Sequence, residues 1–534
     1  MKKSIKLVAL CAVMLTAFNA FAAKKTKASK TESSDAKVEA AADADSAKPA
    51  EDKKAKKEKA KKEKAKKEKP AKEKPAKAPK QEKAKPVKKV KFDQAAYDAA
   101  FEKGDYETCA GMLLGKDDKK NAVRDLLDAD MLMYLAANYQ ESGRAFLETY
   151  GKMQQASAEL SAGKAVGAAM GGENAIKYSG AEYERYLAWS MRLVSALNSN
   201  QTDVANGIMK DYVGTFMAEI QELRAKNAEM EAEAEKALED DEFKNAQDKL
   251  TNSGVKMSFS EYEKPKKTDA KYESSPFFNY LGTVAYAVSG DVDHAEEFGT
   301  VYKVSKVKDI TKIPAGKGRL EVVALSGMIG RRGDFSEGKE AAVAYLPLPN
   351  LNMQIPLYTK VSYPVFDPAA QNHLIKGVRV SLSDGSTANA EIVEDFDNAV
   401  KVDVDRKAPG AYSRSVYRNV VKNSIVAASV VAAGIALDQA KSASALAALA
   451  AQVIFDKAVD AAANAVANKE RADIRQGYYF PNLASAAGFN VAPGTYTVTV
   501  EYLDSYGKVV ESKTIENVAV EQGKVTARIS SCEK

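Results

Sequence analysis

The chain has 534 residues, with 79 Lys and Arg against 73 Asp and Glu, a net charge of +6, but only two His, three Cys and one Trp. So few His and Cys argue against a His- or Cys-built metal site and against a disulfide-stapled scaffold. The small net charge conceals a strong asymmetry, because residues 24–91 carry 26 Lys against 12 acidic residues. Removing that +14, and the +3 of Lys2, Lys3 and Lys6, leaves the remainder of the chain at −11.

The N-terminus reads as an export address. Lys2, Lys3 and Lys6 precede an apolar run from Leu7 to Phe18, and Ala20-Phe21-Ala22 supplies small residues for cleavage, the pattern of a secretory leader over 1–22. Twelve apolar residues make about 18 Å of helix, too short for a bilayer core of about 30 Å. Cys11 sits inside the apolar run behind Leu10, so the protein is expected to be exported, periplasmic or outer-envelope associated, and not lipidated.

Residues 23–91 form a basic tail. Val38, Val87 and Val90 are its only aliphatic residues larger than Ala, and Ala-Lys-Lys-Glu-Lys repeats three times from Ala55. Such a composition does not offset the entropy of ordering and is expected to be disordered, with Pro70, Pro75, Pro79 and Pro86 interrupting helix. As a coil, 24–91 spans roughly 45 Å. Lys53 to Lys91 suit an anionic lipid, lipopolysaccharide or cell-wall polymer; a solvated spacer is the other reading. Outside the cytoplasm, nucleic acid is not expected as a partner.

Apolar residues at helical spacing begin at Phe92, and 92–310 is expected to be a helical domain. Gly104-Asp105-Tyr106 followed by Cys109 resembles the turn of a tetratricopeptide hairpin. The turn recurs at Gly290-Asp291-Val292 and more weakly at Thr202-Asp203-Val204. Leu126–Met153 reads as one helical stretch, 160–175 as a Gly/Ala-rich loop, 211–247 as a long charged helix and 252–272 as a polar linker around Pro265. Strands are expected at 320–325, 341–348, 354–366, 377–383 and 388–393. At the C-terminus, 495–502 and a strand pair after Ser505-Tyr506-Gly507-Lys508 complete a small immunoglobulin-like sandwich over 318–394 and 490–531. Between these segments, 412–475 is expected to be an inserted Ala-rich helical hairpin. The run Ser424 to Leu437 carries no charge, and Ala443 to Phe455 is a second apolar run. Buried core helices are expected; the alternative is contact with a membrane or another subunit. The fold class is therefore α+β, a degenerate tetratricopeptide-like array followed by a sandwich.

Several short stretches resemble a large uncharacterised family of exported bacterial proteins, many of them lipoproteins. They are Tyr178-Ser-Gly-Ala-Glu-Tyr-Glu-Arg-Tyr-Leu, Ser275-Pro-Phe-Phe-Asn-Tyr-Leu-Gly, Gly318-Arg-Leu-Glu-Val-Val, and Glu470-Arg-Ala-Asp-Ile-Arg ahead of the Pro493-Gly-Thr-Tyr-Thr-Val strand. The resemblance spans about 92–531. It implies a tetratricopeptide-like region before a β-rich part and a setting in envelope assembly, and it offers no assigned catalytic residues to carry over. The long Lys tail stands where other members carry a lipid.

No chemistry is legible in the motifs. HExxH, nucleophile-elbow and phosphate-loop patterns do not occur in the chain. His294 lies in a repeat turn and is expected at the surface. His373 lies beside Gln371 and Asn372 with no partner suggested. Gly327-Met-Ile-Gly330-Arg-Arg-Gly333 reads as a loop, its Arg331 and Arg332 solvated or turned to an anionic partner. Cys109 fits a buried free thiol, with a disulfide to Cys532 as the alternative. No catalytic, cofactor or metal residue is assigned. The expected function is a non-enzymatic envelope protein that binds a protein or peptide. The alternatives are an assembly component that forms homo-oligomers through the 424–467 helices, and an enzyme on envelope polymers.

Overall fold

The computed structural model describes residues 92–116, 122–159, 172–367, 373–464 and 470–534. The expected leader and basic tail, and most of the 160–175 loop, lie outside the described residues. The described part is mixed α+β, with eleven helices followed by a β-rich region of several sheets.

The helices are α1 (Gln94–Glu102), α2 (Tyr106–Leu114), α3 (Ala122–Leu135), α4 (Tyr139–Ala158), α5 (Glu182–Asn198), α6 (Thr202–Asp211), α7 (Met217–Lys236), α8 (Asp241–Asn252), α9 (Pro276–Val288), α10 (Val292–Val301) and α11 (Val307–Thr311). One turn joins α1–α2, α3–α4, α5–α6 and α9–α10. Each has a residue of positive φ: Gly104 at 71°, Ala137 at 62°, Asn200 at 54° and Gly290 at 83°. In each, the next N–H reaches back to the preceding helix: Asp105 to Ala100 O, Asn138 to Met133 O, Gln201 to Ala196 O and Asp291 to Tyr286 O, at 2.9–3.0 Å. This left-handed step satisfies helix-end carbonyls. Asp105 and Asp291 then cap the next helix by accepting the N–H of Thr108 and His294.

The stretch Leu126–Met153 is thus two helices. The expected charged helix over 211–247 is also divided. A π-helical turn at Tyr212–Phe216 links α6 to α7, and the chain breaks again at Leu238–Asp240 before α8. The wider turn places both Tyr212 and Phe216 wholly inside, their rings 5.3 Å apart. The linker after α8 is less polar in place than in sequence, because Val255 and Tyr262 are buried.

The strands are β1 (Gly318–Ser326), β2 (Arg331–Asp334), β3 (Ala342–Leu348), β4 (Met353–Thr359), β5 (Pro364–Asp367), β6 (Gly377–Leu382), β7 (Thr387–Asn389), β8 (Glu391–Asp395), β9 (Leu483–Val491), β10 (Gly494–Leu503), β11 (Val509–Val520) and β12 (Val525–Cys532). Two four-stranded sheets run β12-β1-β9-β8 and β11-β10-β6-β7. β1 pairs parallel with β12 and antiparallel with β9. Leu320, Val322 and Ala324 of β1 meet Val378, Val380, Val498, Val500 and Tyr502 of the second sheet in one apolar cluster. Val323 and Leu325, on the opposite face, join the helical core around Trp189, Phe216, Phe277 and Phe278. β1 is therefore buried along its whole length, sandwiched between helices and the second sheet.

Two expectations change here. β3 and β4 pair only with each other. Leu346, Leu348, Ile355 and Leu357 pack instead with Val430 and Leu437 of a 46-residue helix, α12 (Phe396–Lys441). The hairpin partner α13 (Ala445–Asn464) follows, so the helical pair begins at Phe396 rather than near 412. By length and composition α12 is the one described helix able to cross a membrane, but half of its apolar stretch is buried in the protein, as in a core helix.

Candidate functional site

Two polar clusters lie at the seams between these layers. The first joins α5, α7, α12, Glu173 and the segment 470–476. Arg418 is wholly buried; its Nε and Nη1 donate to Glu470 and Glu173, each at 2.9 Å. Arg414 grips Glu173 with two bonds of 2.9 and 3.0 Å. Arg332 donates to Asp403 Oδ2 at 2.7 Å, and Lys407 lies 3.0 Å from Oδ1 of the same carboxylate. Burial opposes ionisation of Glu173, yet Arg414 and Arg418 hold it down at about 2. Burial pulls the Lys407 ammonium below its usual range, against the pull of Asp403. A narrow cleft of about 130 Å³ opens beside this network. Each cation on its wall has a carboxylate partner: Lys177 with Glu159, Arg332 and Lys407 with Asp403, Arg414 with Glu173, Arg475 with Asp473. Arg332 and Lys407 share one carboxylate, so the cluster keeps a cationic excess, but every cation in it is paired and the network acts as a clasp.

The second seam lies where α9, α11 and the loop between α10 and α11 cross β1, β8 and β9. Here a cavity of about 460 Å³ opens. Its floor follows from the sequence of β9. Ala484, Ala486 and Gly488 share the face turned to the helices, since alternate strand residues share a face, and such small side chains leave space. β1 turns Arg319 and Glu321 to the same side. Glu321 accepts from Tyr280 Oη and from Arg319 Nε, both at 2.6 Å. Burial and Glu321 push the Tyr280 hydroxyl well above its usual range, so it remains a donor. Arg319 is only 7% exposed, yet among the described residues its two terminal nitrogens have no partner. Its guanidinium lies close against Gly488, where a Cβ would stand 1.9 Å from Nη2. Asn279, 2% exposed, lines the same cavity; its Nδ2 donates to Ser274 while its Oδ1 has no donor. At the mouth, Lys306 of the α10–α11 loop pairs with Glu391 of β8.

The residues singled out by motif reading lie elsewhere. His294 is exposed and binds Asp291 through Nδ1 at 2.8 Å, which raises its pKa. His373, for which no partner was expected, places Nε2 2.8 Å from Asp397 Oδ2 in a half-buried pair. The Gly327–Gly333 segment is not a loop throughout, because 331–334 pairs with β5. Arg332 is no surface anion contact, since it is buried against Asp403. Cys109 and Cys532 are both buried and free, so they are not joined. Among the described residues no group of three or more His, Cys, Asp or Glu is placed to hold a metal. Sequence reasoning misses Arg319 and Glu321, because Gly318-Arg-Leu-Glu-Val-Val reads only as a strand. Two charges at alternate positions of a strand apolar on both faces were the available signal.

No family model, curated protein or solved structure matches this chain.

Proposed function

We propose that the protein is exported and non-enzymatic, and that it binds a protein or peptide partner in the cell envelope. The observation that carries this reading is the 460 Å³ cavity, where a buried arginine presents an unpaired fork. Concave sites with a few convergent polar groups on an apolar wall are the usual form of a binding site. The four hairpins with one shared turn support a degenerate tetratricopeptide-like array, an architecture whose concave face commonly holds peptides. The two facing sheets act as a small sandwich that supports it. Residues 1–22 direct export, and the basic tail holds the acidic body near anionic lipid, lipopolysaccharide or cell-wall polymer.

A second reading, assembly through α12 and α13, has its own observation. Ile435, Leu446, Leu449 and Val453 are exposed, with Leu446 at 79%. Light scattering separates the two: a monomer removes the assembly reading.

The functional test is retention of residues 23–534 on envelope fractions, beside a version lacking 24–91, at low and high salt. The tail as tether requires salt-sensitive retention that the shorter version loses. The body as binder requires a salt-resistant component that both versions share.

A further inference from the structure

We propose that the Arg319 cavity reads the free C-terminal carboxylate of a peptide ending in a small apolar residue. The inference rests on the reading of this protein as a peptide binder and names the feature of the peptide that is recognised.

An arginine fork buried to this degree ordinarily satisfies its donors within the protein. Arg319 instead spends only Nε on Glu321, and the group is held close against Gly488. Two parallel N–H donors remain for a planar acceptor, the geometry that matches a carboxylate. Charge selects the carboxylate over a phosphate. Arg319, Lys303 and Lys306 meet Glu321, Asp309 and Glu391 around the cavity, so the site is balanced. A single negative charge can be accepted by the free fork, whereas a dianion faces three carboxylates with no surplus cation.

A C-terminal residue also offers its own amide N–H, and Asn279 Oδ1 is the buried acceptor that lacks a donor. The floor of Ala486 and Gly488, with Ile310 and Ile392 on the walls, accommodates a short aliphatic side chain. A peptide is favoured over a free small acid by the wall itself. β8 is the outer strand of its sheet, and residues 391–393 border the cavity, so an incoming extended chain finds main-chain groups alongside.

The probe is a fluorescent tripeptide, dansyl-Gly-Ala-Ala, compared with its C-terminal amide by anisotropy on the purified chain. The acid should bind about tenfold or more tightly than the amide, the effect of removing a hydrogen-bonded charge. Arg319→Gln should abolish that difference. Because Arg319→Gln leaves Glu321 buried without its cation, the deciding measurement uses the unaltered protein. An arginine-specific dicarbonyl should modify Arg319 more slowly in the presence of the acid than of the amide, followed by mass spectrometry of the peptide that contains it. Equal binding of acid and amide, or modification of Arg319 unaffected by the acid, overturns the proposal. If the envelope retention of the tail-less body persists in that case, the binding reading stands and only the carboxylate assignment falls. If neither peptide binds and the body retains nothing, both fall.

Discussion

At the scale of single residues, buried carboxyls set the response to pH. Burial lifts Asp130 to about 8 and Asp128 to about 7, although Thr149 and the Tyr478 N–H donate to them. Burial likewise lifts Glu394 to about 7, despite the hydroxyls of Ser275 and Tyr272. A folded value above the unfolded one gives a contribution that is complete below the unfolded carboxylate range. It is lost as pH rises through the folded values. Glu173, held at about 2, behaves oppositely and loses its contribution as pH falls toward that value. Stability should therefore be greatest near pH 4–5, roughly between these limits. Melting followed by calorimetry should show a midpoint that falls from about pH 5.5 to about pH 8.5, and Asp130→Asn should flatten that decline. An unchanged alkaline limb in the variant would remove Asp130 from the account. The clasp gives a second expectation at this scale. Glu470→Ala leaves Arg418 buried with only Glu173, and removing one partner of a buried pair costs about 3–5 kcal/mol. Denaturant titration should show a loss of that order; a change under about 1 kcal/mol would mean that Glu173 alone satisfies Arg418.

At the scale of elements, the shared hairpin turn permits a paired test. Ala137 holds the left-handed position that Gly290 holds in the equivalent turn. A Cβ there costs about 1–2 kcal/mol, while glycine gives back about 0.4–1 kcal/mol through the unfolded chain. The strain wins, so Ala137→Gly should stabilise by about 0.5–1 kcal/mol. Gly290→Ala should destabilise by about 1 kcal/mol. A Cβ at Gly290 meets nothing within 4 Å, so the cost is one of backbone alone. Shifts of the same sign in both variants would refute the common turn geometry. These turns were partly legible in the sequence because Gly-Asp-aromatic is a local signal. Ala137-Asn138 carries no such signal, which is why α3 and α4 read as one helix. β9 escaped notice for a related reason: Leu-Ala-Ser-Ala-Ala-Gly lacks the β-branched residues by which strands are recognised. The same small residues open the cavity, so the feature that conceals the strand also makes the site. The strands β3 and β4 were legible as strands, but periodicity does not say which surface a strand covers, and theirs is α12.

At the scale of the whole molecule, the last strand binds the parts together. The sequence reading separates a helical domain from a sandwich, yet one apolar cluster runs from α3 and α5 through α9 into β1 and β12. β12 supplies Val525, Ala527 and Ile529 to the helices and Cys532 to the cluster between the sheets. Around it, Ile529 N–H donates to Asn198, and the Tyr106 hydroxyl donates to Glu533 at 2.7 Å. A boundary near residue 310 is invisible in this packing, because an apolar face in a sequence does not announce which partner will cover it. Helices whose inner face is finished by a strand made more than two hundred residues later should not be stable without it. Removal of 525–534 uncovers the apolar faces of α5 and α9 and breaks the parallel pairing with β1. At about 25 cal/mol per Å² of apolar surface, loss of three buried aliphatic side chains, about 5–8 kcal/mol, together with a strand's ladder is comparable to the about 5–15 kcal/mol that holds an ordinary domain folded. The full chain should melt in one calorimetric transition, and the shortened chain should lose protease resistance across 92–310 as well as across the sheets. A shortened chain that keeps a protease-resistant helical core, with its far-ultraviolet circular dichroism intact, would show that the helices fold independently and that the boundary read from the sequence is real.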